Sequence, residues 1–139
     1  MADSNDFNAS IIEEFRANDG VVGGPFEGAS LVLLHTVGVR SGAPRVNPLM
    51  SQPVGDDVAV FASAAGSTKD PAWFRNLMAH PDTTVEVGSE VREVRARVAE
   101  GEERTRIWEH QKANVPGFAE YEASAGDREI PVVVLERRS

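Results

Sequence analysis

Cysteine is absent from the 139 residues. Disulfides and thiolate-based zinc or iron–sulfur sites are therefore excluded, and a reducing compartment fits the chain. No apolar run approaches the ~20 residues of a membrane-spanning helix. The first ten residues, MADSNDFNAS, hold neither a basic stretch nor an apolar one, so no secretory signal is read there. The expectation is a cytoplasmic protein. Peripheral membrane contact through residues 1–20 is a second reading, which their charge does not favour.

Basic charge is scarce as well. Fourteen Lys and Arg face 22 Asp and Glu, for a formal net charge of −8. Nucleic acid is not the expected partner, because phosphate backbones need a basic face. The three histidines show no HxxxH or HExxH spacing, so no metal is expected. There is no GxSxG elbow, no Walker A motif and no Rossmann fingerprint. Tyr121 is the only tyrosine.

Acids have a gap of their own. Not one Asp or Glu lies between Gly28 and Gly55, although the chain's mean frequency would place several there. His35, Arg40 and Arg45 fall inside this window. Two buried strands would exclude acids anyway, but they do not explain a purely basic loop between them.

What is present reads as a small α+β domain. Residues 10–19 suggest a short helix with Ser10 and Glu13 as a capping box. Apolar, β-branched runs predict strands over 30–37, 45–54 and 58–62. Pro48 and Pro53 mark the second as an edge strand, or as one whose N–H groups face a ligand. Asp70 as N-cap and Pro71 at the first helical position predict a helix to about His80. A hairpin is expected over 83–87 and 91–98, with a bulge or a register shift because the apolar parity changes in its second arm. Helices over 102–113 and 115–124 and a strand over 130–135 complete the chain. Six mostly antiparallel strands with three or four helices point to a barrel. No linker divides it, so 1–139 reads as one domain with a helical segment at 1–20.

Two stretches carry candidate chemistry. GVRSGAPRVN, residues 38–47, offers forked donors from Arg40 and Arg45, the Ser41 hydroxyl, and Gly38 and Gly42 to aim backbone N–H groups at an anion. A solvated hairpin loop is the plainer reading. FASAAG, residues 61–66, puts small residues at a strand end, where a flat ligand can approach the backbone. The helix that follows supplies a partly positive N-terminus and Trp73, which either stacks on a ring or packs in the core.

Three segments together resemble the deazaflavin-dependent nitroreductase family, the coenzyme F-420-dependent reductases of mycobacteria and related actinobacteria. They are EEFRANDGVVGGPFEGASLVLLHTVGVRSGAPRVNPL, FASAAGSTKDPAWFRNLMAHPDTTVEVG and YEASAGDREIPVVVLER, which span most of the chain in order. The resemblance implies a split β-barrel related to the FMN-binding split barrels. It implies a reduced deazaflavin passing a hydride to a quinone, an activated enone or a nitroaromatic acceptor. By resemblance, Val39, Arg40, Ser41 and Arg45 hold the cofactor's phosphate and tail. Val46, Asn47, Pro48, Leu49 and Met50 line its ring, with Phe61, Ala62, Ser63 and Ala64 as floor. Ala72, Trp73, Phe74, Arg75 and Asn76 close the pocket. Ser63 and Tyr121 are the catalytic candidates, and Trp73, Phe118 and Tyr121 would meet the substrate.

The chain departs from the family pattern at two places. Ala64 stands where the family often has lysine, so Lys69 or Arg75 would have to replace that contact. The lid stretch VPGFAEY has one tyrosine where relatives have several, which weighs against nitroimidazole reduction. An FMN-dependent oxidoreductase on the same barrel and a non-catalytic F-420 carrier are the alternatives. The resemblance favours a monomer over the dimers usual for FMN split barrels.

Overall fold

The computed structural model describes residues 2–21, 30–39, 41–63, 70–126 and 128–138, with side chains from residue 9 onward. The elements run α1 (Ala2–Ala17), β1 (Leu31–Val37), β2 (Pro44–Val54), β3 (Asp57–Phe61), α2 (Ala72–Ala79), β4 (Asp82–Val87), β5 (Glu90–Val98), α3 (Gly101–Asn114), α4 (Gly117–Ser124) and β6 (Val132–Arg137). The strands close into an antiparallel barrel in the order β1-β2-β3-β6-β5-β4.

Period-two alternation sorts side chains to two faces. Val32, Leu34, Val58, Val60, Val85, Val94, Val133 and Leu135 fill the barrel interior, and Trp73 and Leu77 of α2 join them. Outside β3 and β6, Phe61, Val132 and Val134 meet Ile107 and Trp108 of α3 and Phe118 of α4. Outside β1 and β2, Leu31 and Leu33 receive Ile11 and Phe15 of α1. Phe15 is fully buried there, which is worth roughly 1.5–3 kcal/mol against an exposed ring.

β2 is paired in two halves. Residues 44–50 pair with β1, and residues 51–54 pair with β3. Among the described residues, Pro48 and Pro53 therefore each lie where the strand has a single partner, which answers the expectation of an edge within a closed barrel.

Several sequence-based expectations are corrected. Ser10 does not cap α1, which already runs from Ala2. Pro71, not Asp70, occupies the N-cap of α2, and no side chain caps it. β5 has no bulge: its register with β4 and β6 is unbroken. Val94 and Ala96 keep the inner face, and Val91 is simply an exposed valine on the outer one. The last strand starts at Val132, because Ile130 is drawn into the outer cluster under α3.

Candidate functional site

The mouth of the barrel beside α2 opens into a groove of about 810 Å³, lined among the described residues by Gly38, Val39, Ser41, Arg45, Asn47, Ala72, Trp73, Arg75, Asn76 and Ala79. Strand parity explains the β2 contribution. Arg45 pairs with Thr36, Asn47 with Leu34 and Leu49 with Val32, so these three share the inner face. Arg45 and Asn47 sit at the mouth, while Leu49 packs on the interior core. Val46 and Met50 point the other way and pack against the α1 cluster, and Pro48 shares their face.

The β1–β2 loop closes on itself. The Gly38 N–H donates to the Ala43 carbonyl and the Gly42 N–H to the Gly38 carbonyl, both at 2.9 Å. The Ala43 N–H donates to Ser41 Oγ at 3.1 Å. The expectation that Gly38 and Gly42 aim N–H groups at a ligand is thus corrected: the turn consumes them. Gly42 takes φ +70° to make that turn. At Gly38 a Cβ would stand 2.6 Å from Ser41 Oγ and 3.4 Å from Arg45 Nε, so glycine lets both side chains close over the backbone.

Two asparagines present the same atom to the groove. Asn76, buried on α2, accepts the Val39 N–H through Oδ1 at 3.1 Å. Asn47 accepts the Thr36 hydroxyl through Oδ1 at 3.1 Å. With each carbonyl oxygen occupied, each NH2 group is left to donate. Arg45 and Arg75 add charged donors. Neither has a carboxylate partner among the described residues, whereas Arg16, Arg92, Arg95, Arg97, Arg104, Arg128, Arg137 and Arg138 all do. No acid lines the groove among the described residues. An acidic chain has gathered hydrogen-bond donors and unpaired cations around one cavity, which is the chemistry of an anionic, acceptor-rich ligand. Trp73, 8% exposed, gives an aromatic wall and meets Phe74 edge-on.

Not every expected residue gathers here. Arg40 and Ala64, with Lys69, lie outside the described residues. Phe61 faces outward, 5.4 Å from Phe118 and 5.9 Å from Trp108 between ring centres. Tyr121 stacks edge-on against Phe118 at 5.3 Å. Phe118 and Tyr121 thus belong to the cluster under α3 and α4, and do not line the groove. Ala62 is buried inside the barrel, and Ser63 is half-buried at its rim. Thr36, Ala79 and Arg128 were not singled out from sequence. Thr36 had a signal, as a hydroxyl in register with the apolar Val32 and Leu34 on the inner face of its strand.

The cavity fits a cofactor with a flat ring and an anionic tail: its size suits a drug-sized ligand and its lining offers only donors to such a tail. A solved structure described as an F420-H2 dependent reductase matches with TM-score 0.70 and 38% identity, covering 77% of this chain and 94% of that one. Another, described as a domain-swapped dimer, matches with TM-score 0.71 and 35% identity over 97% and 98%. The closed six-stranded barrel and these matches set the chain among the split-barrel oxidoreductases. The family model for F420H(2)-dependent quinone reductase matches residues 10–137. A Mycobacterium tuberculosis relative described as an F420H(2)-dependent quinone reductase is 34% identical over 128 residues, 89% of this chain and 85% of its own length. The chain belongs to the F420H(2)-dependent quinone reductase family, and its cofactor is coenzyme F-420. The resemblance joins nitroreductases and quinone reductases in one family; the family matches, and the model that matches is that of the quinone reductases. Against the expected monomer stands the second of these solved structures, which is itself described as a domain-swapped dimer.

Proposed function

We propose that this chain is a single-domain cytoplasmic enzyme that binds reduced coenzyme F-420 in the α2 groove and reduces a quinone, with activated enones and nitroaromatics as further acceptors. The bound cofactor supplies a hydride, and the protein supplies orientation and a dry site. Arg45, Ser41 and Arg75 hold the phosphate and tail, with Arg40 as a further donor from the same loop. Arg75 takes the role of the family lysine replaced by Ala64. Asn47 and Asn76 donate to acceptor atoms on the ring, and Trp73 packs beside it. The first half of β2, paired on one side only, offers backbone groups along the ring's edge. Ser63 lies at the rim, near the acceptor. Tyr121 reaches the substrate only if α4 moves, since it now packs on Phe118.

The observation that carries this reading is a groove that, among the described residues, is lined by no acid and holds two arginines without a carboxylate partner, in a chain of net charge −8. The test is fluorescence titration of the purified chain with coenzyme F-420 and with FMN, followed by turnover of menadione with the reduced deazaflavin. Quenching by F-420 at micromolar concentration, together with menadione-dependent oxidation, is expected. Binding of FMN in preference to F-420 would overturn the reading, and binding without turnover would leave a carrier.

A further inference from the structure

Arg128 lies in the connection between α4 and β6, far in sequence from the groove residues. Its side chain is 11% exposed. Nη1 donates to the Ala62 carbonyl at 3.0 Å and to Asp70 Oδ1 at 2.6 Å. Nη2 donates to the Ser63 carbonyl at 2.8 Å. One guanidinium thus ties the end of β3 to the residue that leads into α2. Its own backbone is held by the turn after α4, through its N–H to the Ala125 carbonyl at 3.2 Å.

These contacts explain why Asp70 does not cap α2: its carboxylate is taken by Arg128. They also bear on the groove, because α2 supplies Ala72, Trp73, Arg75, Asn76 and Ala79 to it. An eight-residue helix has little stability of its own, so its placement depends on tertiary contacts. Leu77 and Trp73 fix its depth in the barrel. Arg75 Nη1 is bonded to the Asp70 carbonyl at 3.0 Å, so the residue gripped by Arg128 also orients the groove cation.

We propose that Arg128 is a positioning residue for the cofactor site: it fixes the β3 end and the start of α2 as one unit, and so sets Arg75, Asn76 and Trp73 against the groove. This rests on the assignment of the groove to coenzyme F-420. Arg128 touches no ligand itself. A lysine has one ammonium and cannot reproduce the planar fork that reaches three acceptors.

The test uses the full chain as wild type, Arg128→Gln, Arg128→Lys and Asp70→Asn, with the exposed α3 arginine in Arg106→Gln as control. Fluorescence titration gives Kd for coenzyme F-420, and turnover with menadione gives KM for the reduced form and kcat. For Arg128→Gln, Kd and KM should rise about tenfold or more while kcat at saturating cofactor changes less than about threefold. Arg128→Lys should recover only part of the loss, and Arg106→Gln should match wild type. A folded Arg128→Gln chain with wild-type Kd, or one that loses kcat with KM unchanged, would overturn the inference. Should that variant not fold, Asp70→Asn decides: a raised Kd supports the proposal and an unchanged one overturns it. A wild-type chain that fails to bind F-420 would instead overturn the functional reading, and this inference with it.

Discussion

At position 36 a hydroxyl decides which way an amide faces. Thr36 donates to Asn47 Oδ1, and the Asn47 NH2 group is left toward the groove. Thr36→Val keeps the shape and removes the donor. It should weaken F-420 binding by about 1 kcal/mol, whereas Thr36→Ser should bind like wild type; fluorescence titration of both variants checks this. Arg45 and Arg75 act through charge. Arg45→Ala and Arg75→Ala should each cost about 1.5–3 kcal/mol of binding, and Arg138→Ala should cost nothing measurable. Equal effects in all three would place the anion elsewhere. Arg45 was legible in the sequence because its window lacks acids. Arg75 was legible as part of a family-like helix. That neither meets a carboxylate among the described residues was not legible, since it depends on where the acids fold.

Among the elements, α1 is attached on its described half by an apolar pair and an ion pair. Ile11 and Phe15 supply its apolar contacts to Leu31 and Leu33. Arg16 forks onto Glu86 of β4 at 3.0 and 2.6 Å, and Glu86 also meets His35 Nε2 at 2.7 Å. Phe15→Ala should cost about 3–5 kcal/mol in urea unfolding, because the ring is buried and the barrel wall cannot collapse into its place. Strand positions were largely legible, because alternation and β-branching report a half-buried surface directly. Helix starts were not. Ser10 and Asp70 both look like caps, yet one lies inside a longer helix and the other is claimed by Arg128 from 58 residues away. A local capping signal yields when a buried cation needs the same carboxylate. The bulge expected in β5 failed for a related reason: an exposed Val91 mimicked a change of parity.

Over the whole molecule, ion pairs join strands and helices that are distant in sequence. Glu86, Glu103 and Glu122 are each held below the ordinary carboxyl value of 4.5, chiefly by hydrogen bonds from Arg16, Arg97 and Lys112; burial opposes this in all three. The folded carboxyls bind protons less readily than the unfolded ones. Their contribution is therefore complete above about pH 5 and is lost as pH falls through the lowered folded values. Urea midpoints measured from pH 7 down to pH 3 should decline below about pH 5, and Glu86→Gln should flatten part of that decline. A midpoint that rises on acidification would contradict these pairings.

By itself the sequence determined the class of fold, the basic loop in an acidic chain, and the family. Periodicity, composition and ordered motifs are written along the chain and need no partner to be read. Tertiary structure decided which face each residue serves. It sent Val46 and Met50 to the α1 side and Asn47 to the groove. It put Phe61, Phe118 and Tyr121 in an outer aromatic cluster, and it brought Arg128 to Ala62, Ser63 and Asp70, between the end of β3 and the start of α2. Register and closure of a barrel set those relations, and both arise from contacts between segments that no local stretch encodes.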